Sequence, residues 1–113
     1  MKIFTDDSLD IARMASAFAA LGSEQRLSVL RILVRAGDAG LSIGELGARS
    51  GITGSTLTHH VKQLAQAGLV EQEKTGRTIR CRVSYSRARD LSEYLLKECC
   101  ADLERPNAEH LDD

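Results

Sequence analysis

The sequence predicts a mainly α-helical chain with a two-stranded wing, a winged helix-turn-helix of order α-α-α-α-β-β-α. Three observations predict it. Apolar residues recur at three- and four-residue intervals through residues 8–36 and again through 86–103. Two short helical stretches meet across Ser50-Gly51, and the second is rich in small polar residues. The period then changes to two on either side of Thr75-Gly76-Arg77, which reads as a hairpin with a basic tip.

Taken in order, the first helix is expected from about Ser8 to Ala20. Leu9, Ala12, Met14, Ala15, Phe18, Ala19 and Leu21 make its apolar face, and Gly22 breaks it. Ser23 looks like the N-cap of a second helix through about Ala36, with Leu27, Leu30, Leu33 and Val34 on the core side. Gly37-Asp38-Ala39-Gly40 is a turn. Ser42 caps a short third helix, Ile43 to Arg49. The fourth helix begins near Gly54, carries Leu57, Val61 and Leu64 inward, and stops at Ala67-Gly68. In the hairpin, Ile79, Cys81 and Val83 share one face while Arg80 and Arg82 point the other way. A last helix is expected from about Ser86 to Leu103. Leu91, Leu95 and Cys99 form its stripe, widened by Tyr94, Leu96 and Leu103. Pro106 ends it, leaving a loose acidic tail over 105–113.

Length and composition set the class. A chain of 113 residues has room for one domain, with its core over 8–104, and one modest core. So small a monomer buries a limited share of its surface, which makes a dimer sharing helices physically sensible. Apolar residues make up 42% of the chain and aromatics 4%, ordinary for a helix-rich soluble protein. No run of ~18 apolar residues is present to span a membrane. The start, Met1-Lys2-Ile3-Phe4-Thr5-Asp6-Asp7, lacks the apolar stretch of a secretion signal, so the cytoplasm is the expected compartment. In that reducing setting the three cysteines are expected as thiols.

The net charge of −1 conceals an uneven distribution. Residues 1–50 carry six Lys/Arg against six Asp/Glu, and residues 85–113 carry four against eight. Residues 51–84 carry five against two, so the positive charge is central, as phosphate contact requires. A solvated basic ribbon would carry the same charge. The fourth helix adds a more specific signal. Between Ser50 and Val70 there is no Asp or Glu, and the outer face offers Ser55, Thr56, Thr58, His59, Lys62 and Gln63. Compact donors and acceptors suit the major groove, whereas an ordinary solvated face would be filled with Glu and Lys. His60 has two readings of equal weight, DNA-facing or packed on the third helix. Lys74, Arg77 and Arg80 of the hairpin would lie over the flanking backbone or minor groove of double-stranded DNA.

Several stretches together resemble the ArsR-type (ArsR/SmtB) metalloregulators. They are Leu21-Gly22-Ser23-Glu24-Gln25-Arg26-Leu27-Ser28-Val29-Leu30, then Ser55-Thr56-Leu57-Thr58-His59-His60-Val61-Lys62-Gln63-Leu64, then Ala67-Gly68-Leu69-Val70 and Gly76-Arg77. In order they span roughly residues 8–104. The resemblance implies a repressor that binds operator DNA as a homodimer through its first and last helices, with an effector that lowers operator affinity.

The resemblance also frames the effector. Members that sense arsenite in the third helix carry Cys-x-Cys there, but this chain has Ser42-Ile43-Gly44-Glu45-Leu46. Zinc sensors use Asp and His pairs on the last helix, which here offers Asp90 and Glu93 with no His before His110. What remains is Cys99-Cys100, which looks like the vicinal pair of a second class of arsenic-responsive repressors. Soft thiolates suit a thiophilic centre. The implied inducer is trivalent arsenic, as arsenite or methylarsenite, with antimonite as a related ion. Cys81 is the remaining thiol and the candidate third ligand, against a simpler reading as a small apolar residue beside Ile79 and Val83. A thiol-redox or persulfide signal at the same cysteines is the alternative. Enzymatic chemistry is not expected, because neither Cys99 nor Cys100 has a His nearby to serve as an oriented base.

Overall fold

Serine hydroxyls set the starts of three of the helices in this protein. The computed structural model describes residues 2–103. Its elements are α1 (Lys2–Ala20), α2 (Glu24–Ala36), β1 (Leu41–Ser42), α3 (Ile43–Ser50), α4 (Gly54–Gln66), β2 (Val70–Thr75), β3 (Thr78–Val83) and α5 (Tyr85–Leu96). Ser23 accepts from the backbone N–H of Arg26, and Ser84 from that of Arg87. Ser42 does more. Its hydroxyl accepts from the Glu45 N–H while the Glu45 carboxylate accepts from the Ser42 N–H, a complete capping box. The expected acidic tail, with Pro106 and His110, lies outside the described residues.

Helical periodicity becomes one core. Val29, Leu30 and Leu33 of α2 pack with Leu46 of α3 and with Leu57, Val61 and Leu64 of α4. Leu69, Val70, Cys81 and Val83 close it from the hairpin side, Leu91 from α5 and Ala17 from α1. Two apolar faces differ from expectation. On α2, Val29 is buried, whereas Leu27 and Val34 are exposed. On α1, Ala17 is buried with Met14 and Phe18 packed beside it, whereas Ala12, Ala15 and Ala19 face outward. The first helix also begins at Lys2 instead of near Ser8.

The sheet has three strands, not two, in the order β1-β3-β2. The extra strand is only Leu41–Ser42, pairing antiparallel with Cys81 and Arg80. No period can mark two residues, so their pairing is settled by contact with a distant segment. Strand β2 runs on to Thr75, leaving Gly76-Arg77 as a two-residue loop. Gly76 has φ 62° while Arg77 stays at negative φ, the pattern of a type II′ hairpin turn.

The last helix is shorter than expected. It ends at Leu96, and residues 97–102 form successive tight turns. Cys99, Ala101 and Leu103 each donate to the carbonyl three residues earlier, and Cys100 sits at φ 63°. Past Leu91 the expected stripe buries nothing in one chain, because Leu95, Cys99 and Leu103 are all exposed. Without packing, little holds a terminal segment helical. Among the described residues, no helix is long and apolar enough to cross a membrane.

Candidate nucleic-acid interface

Helix α4 has two unlike sides. Leu57, Val61 and Leu64 are fully buried, which pins the helix against α2 and the sheet. The opposite face presents Ser55, Thr56, Thr58, His59 and Lys62 to solvent, with Gln63 half-buried at its edge. The Gln63 amide donates to Nε2 of His59 at 2.9 Å, so these two side chains hold each other on the outer face. Thr53 provides no side-chain cap and the first turn carries no acid. The leading backbone N–H groups of α4 are therefore open to an outside acceptor, a feature that side-chain reasoning overlooked.

The hairpin divides its basic residues between two tasks. Lys74 and Arg77 are exposed at the tip. Arg80 and Arg82 lie farther down and reach across to the loop before β1. Arg80 donates to the carbonyls of Ala39 and Gly40 at 3.1 and 3.2 Å, and Arg82 donates to that of Asp38. Arg82 also pairs with Glu73 at 2.7 Å, diagonally across the strands. That hydrogen bond and the guanidinium charge hold the Glu73 carboxyl below its ordinary range. Arg80, grouped by sequence with the tip cations, thus also ties the wing to the α2–β1 loop.

His60 lies on the inner side of α4, 9% exposed, with both ring nitrogens on partners from α2. Its Nε2 stands 2.8 Å from Oε1 of Gln25, and its Nδ1 is 3.4 Å from the Arg26 guanidinium. Burial, with the nearby Arg26 charge, pushes its pKa down, so the ring is neutral at neutral pH. Neither Gln25 nor Arg26 carries a sequence signal for this role.

The thiols fall into two environments. Cys99 and Cys100 are exposed, with their sulfurs 3.4 Å apart. They lie just beyond α5, not on it, and Cys100's left-handed backbone turns the two side chains together where a helix would splay them by about 100°. The hydrogen bond to Cys99 raises the Cys100 pKa. Cys81 is completely buried on the central strand β3, paired with Leu41 on one side and Gln72 on the other, and burial raises its pKa. Among the described residues of one chain, no three His, Cys, Asp or Glu side chains converge on a point, so Cys81 does not complete a site with the pair.

A helix-turn-helix domain family matches residues 21–73, the stretch from the α1–α2 junction into the wing. The uncharacterised HTH-type transcriptional regulator YceK of Bacillus subtilis is 41% identical over 57% of this chain. That match takes in 63% of YceK, a little under two thirds of its length. The transcriptional activator HlyU of Vibrio cholerae is 30% identical over 79% of this chain and 80% of its own. An ArsR-like transcriptional regulator from Rhodococcus sp. RHA1 has a solved structure with 33% identity and a TM-score of 0.67. The likeness covers 81% of this chain and 83% of that one. The protein belongs to the ArsR family of winged helix-turn-helix transcriptional regulators. As an ArsR-family regulator it acts by binding DNA and is not an enzyme. The acid-free outer face of α4 and the wing tip with Lys74 and Arg77 are both open to solvent.

Proposed function

We propose that this ArsR-family protein is a homodimeric repressor, released from its operator when trivalent arsenic binds Cys99 and Cys100. The observation that carries the arsenic reading is the pair of exposed sulfurs 3.4 Å apart. Two thiols condense with methylarsenite, releasing two waters, and the methyl group occupies arsenic's third position. Arsenite bound by the same pair keeps one hydroxyl unless a further donor arrives. The two thiol protons leave in those waters, so binding releases no net proton.

Support for pairing comes from apolar side chains left at the surface: Ile11 at 61% exposure on α1, and Leu95 and Leu96 at 65% and 69% on α5. Mb0332 of Mycobacterium bovis, alike in fold at 18% identity and a TM-score of 0.64, is described as a homodimeric winged helix-turn-helix domain. A dimer joined through α1 and α5 puts the cysteines next to the seam. Arsenic there would shift the spacing of the two α4 helices relative to successive turns of DNA. Coupling energies between such sites are commonly ~1–3 kcal/mol.

A second reading rests on the same sulfurs. One solved relative is described as reduced HlyU from Vibrio cholerae, a name that records a redox state of that protein. Lying outside the helix, Cys99 and Cys100 escape the strain that a helix would impose on a bond between neighbours. Peroxide would take two electrons from the thiols, forming a disulfide and two waters.

The test titrates a labelled fragment of the protein's own promoter with arsenite, methylarsenite, antimonite or peroxide. Release by an arsenical, lost in Cys99→Ser and Cys100→Ser proteins, is the expected result. Release by peroxide alone would favour the redox reading. Cysteine variants that still release DNA as the wild type does would remove the sensing role. A promoter reporter separates repression from the activation named for HlyU.

A further inference from the structure

One guanidinium joins three helices. Arg26 Nε donates to the carbonyl of Ala20, the last residue of α1, at 2.6 Å. A helix's final carbonyls lack partners of their own, so this bond caps α1 with a cation. From the same group, Nη1 reaches Nδ1 of His60 on α4 at 3.4 Å. Arginine only donates, so Nδ1 must be the bare, accepting nitrogen. The ring proton then sits on Nε2, which donates to Oε1 of Gln25 at 2.8 Å. Both contacts of the ring are satisfied by one tautomer of a neutral imidazole and by no other protonation state.

We propose that Arg26, His60 and Gln25 form a proton-sensitive latch that seats α4 for DNA reading, so that protonation of His60 weakens operator binding. The inference rests on α4 being the DNA-reading helix. An imidazolium has no lone pair for Arg26 and confronts a second positive charge at that contact. The charged and titratable groups bearing on His60 are Arg26 from α2 and His59 from α4 itself, and neither is an acid that would welcome the proton. Burial acts in the same direction. A crevice of about 330 Å³ bounded by Ser16, Ala20, Arg26 and Gln63 opens beside the guanidinium, giving water a route to the latch. Because Arg26 also caps α1, movement of that helix and seating of α4 are mechanically joined.

The sign distinguishes this latch from ordinary electrostatics. Acidification adds positive charge to a protein surface and by itself strengthens phosphate binding. A latch that needs neutral His60 does the reverse. The experiment measures promoter-fragment affinity at constant ionic strength between about pH 7.5 and about pH 5.5. Wild type and His60→Gln are compared, since the glutamine amide can accept and donate without titrating. Wild-type affinity is expected to fall relative to the variant, by up to about tenfold per pH unit for each protomer's latch below the His60 pKa. Equal pH profiles in the two proteins would overturn the latch. Should wild type fail to bind at the higher pH, the DNA-reading assignment itself fails, a separate outcome. Independently of any variant, nitrogen-15 NMR of wild type should find His60 protonated on Nε2, titrating below 6.5 with movement of α4 amide resonances. A proton on Nδ1, or a midpoint above 6.5, would also overturn it.

Discussion

Gly40 shows how one residue can hold the wing in register. Its φ is +69°, a left-handed conformation that costs other residues about 1–2 kcal/mol. A Cβ there would run into the Cys81 carbonyl oxygen, and that oxygen belongs to the core strand β3. Its own carbonyl accepts from Arg80. Gly40→Ala is therefore expected to destabilise the protein by at least about 2 kcal/mol, read as a lower urea midpoint. An unchanged midpoint would mean that β1 and β3 separate without loss. The same backbone logic operates at Cys100, where a left-handed residue brings two neighbouring sulfurs together.

At the scale of elements, α3 is the short helix whose stability depends most on its start. It has eight residues, and its capping box satisfies two backbone donors that would otherwise be orphaned. Ser42→Ala should cost about 1 kcal/mol of unfolding free energy, with a correspondingly lower thermal midpoint. The Glu45 half of the box adds a pH signature. The Ser42 backbone N–H holds the Glu45 carboxyl below its ordinary range, aided by the Ser42 hydroxyl and the Arg80 and Arg49 charges. Its contribution is complete above that ordinary range and disappears as the pH falls through the lowered pKa. Glu45→Gln should thus flatten the acid side of the stability profile. An unaltered profile would show that the box is already open in solution.

For the whole molecule, the proposed homodimer has to hold its two α4 helices at a fixed separation. Ile11 on α1 borders Tyr94, Lys97 and Glu98 on the α5 side, and Leu95 and Leu96 stand exposed nearby in sequence. Charged side chains on such a surface should abolish pairing without touching the core. Leu95→Glu combined with Leu96→Glu is expected to sediment as a folded monomer. Its operator affinity should fall sharply, and the salt dependence of binding should flatten as half the phosphate contacts disappear. If the double variant still sediments as a dimer, the seam lies elsewhere. A wild type that is monomeric at micromolar concentration would sink the dimer reading altogether.

Periodicity and capping residues determined most of this protein from its sequence alone. They placed α2, α3 and α4 and the hairpin, because those signals are local: Ser23 and Ser42 before helices, Leu57-Val61-Leu64 on one face, Gly76 in the turn. The outer face of α4 was legible for the same reason, since a helix's buried side dictates its exposed one. Tertiary structure decided the rest. It recruited Leu41–Ser42 into the sheet, turned His60 toward Gln25 and Arg26, set Arg80 on the loop carbonyls and ended α5 at Leu96. Each of these depends on what a distant segment offers: a strand edge, a guanidinium, a bare carbonyl, or no apolar partner at all. Local spacing cannot encode such partners, because chain-distant groups meet only once the core has formed.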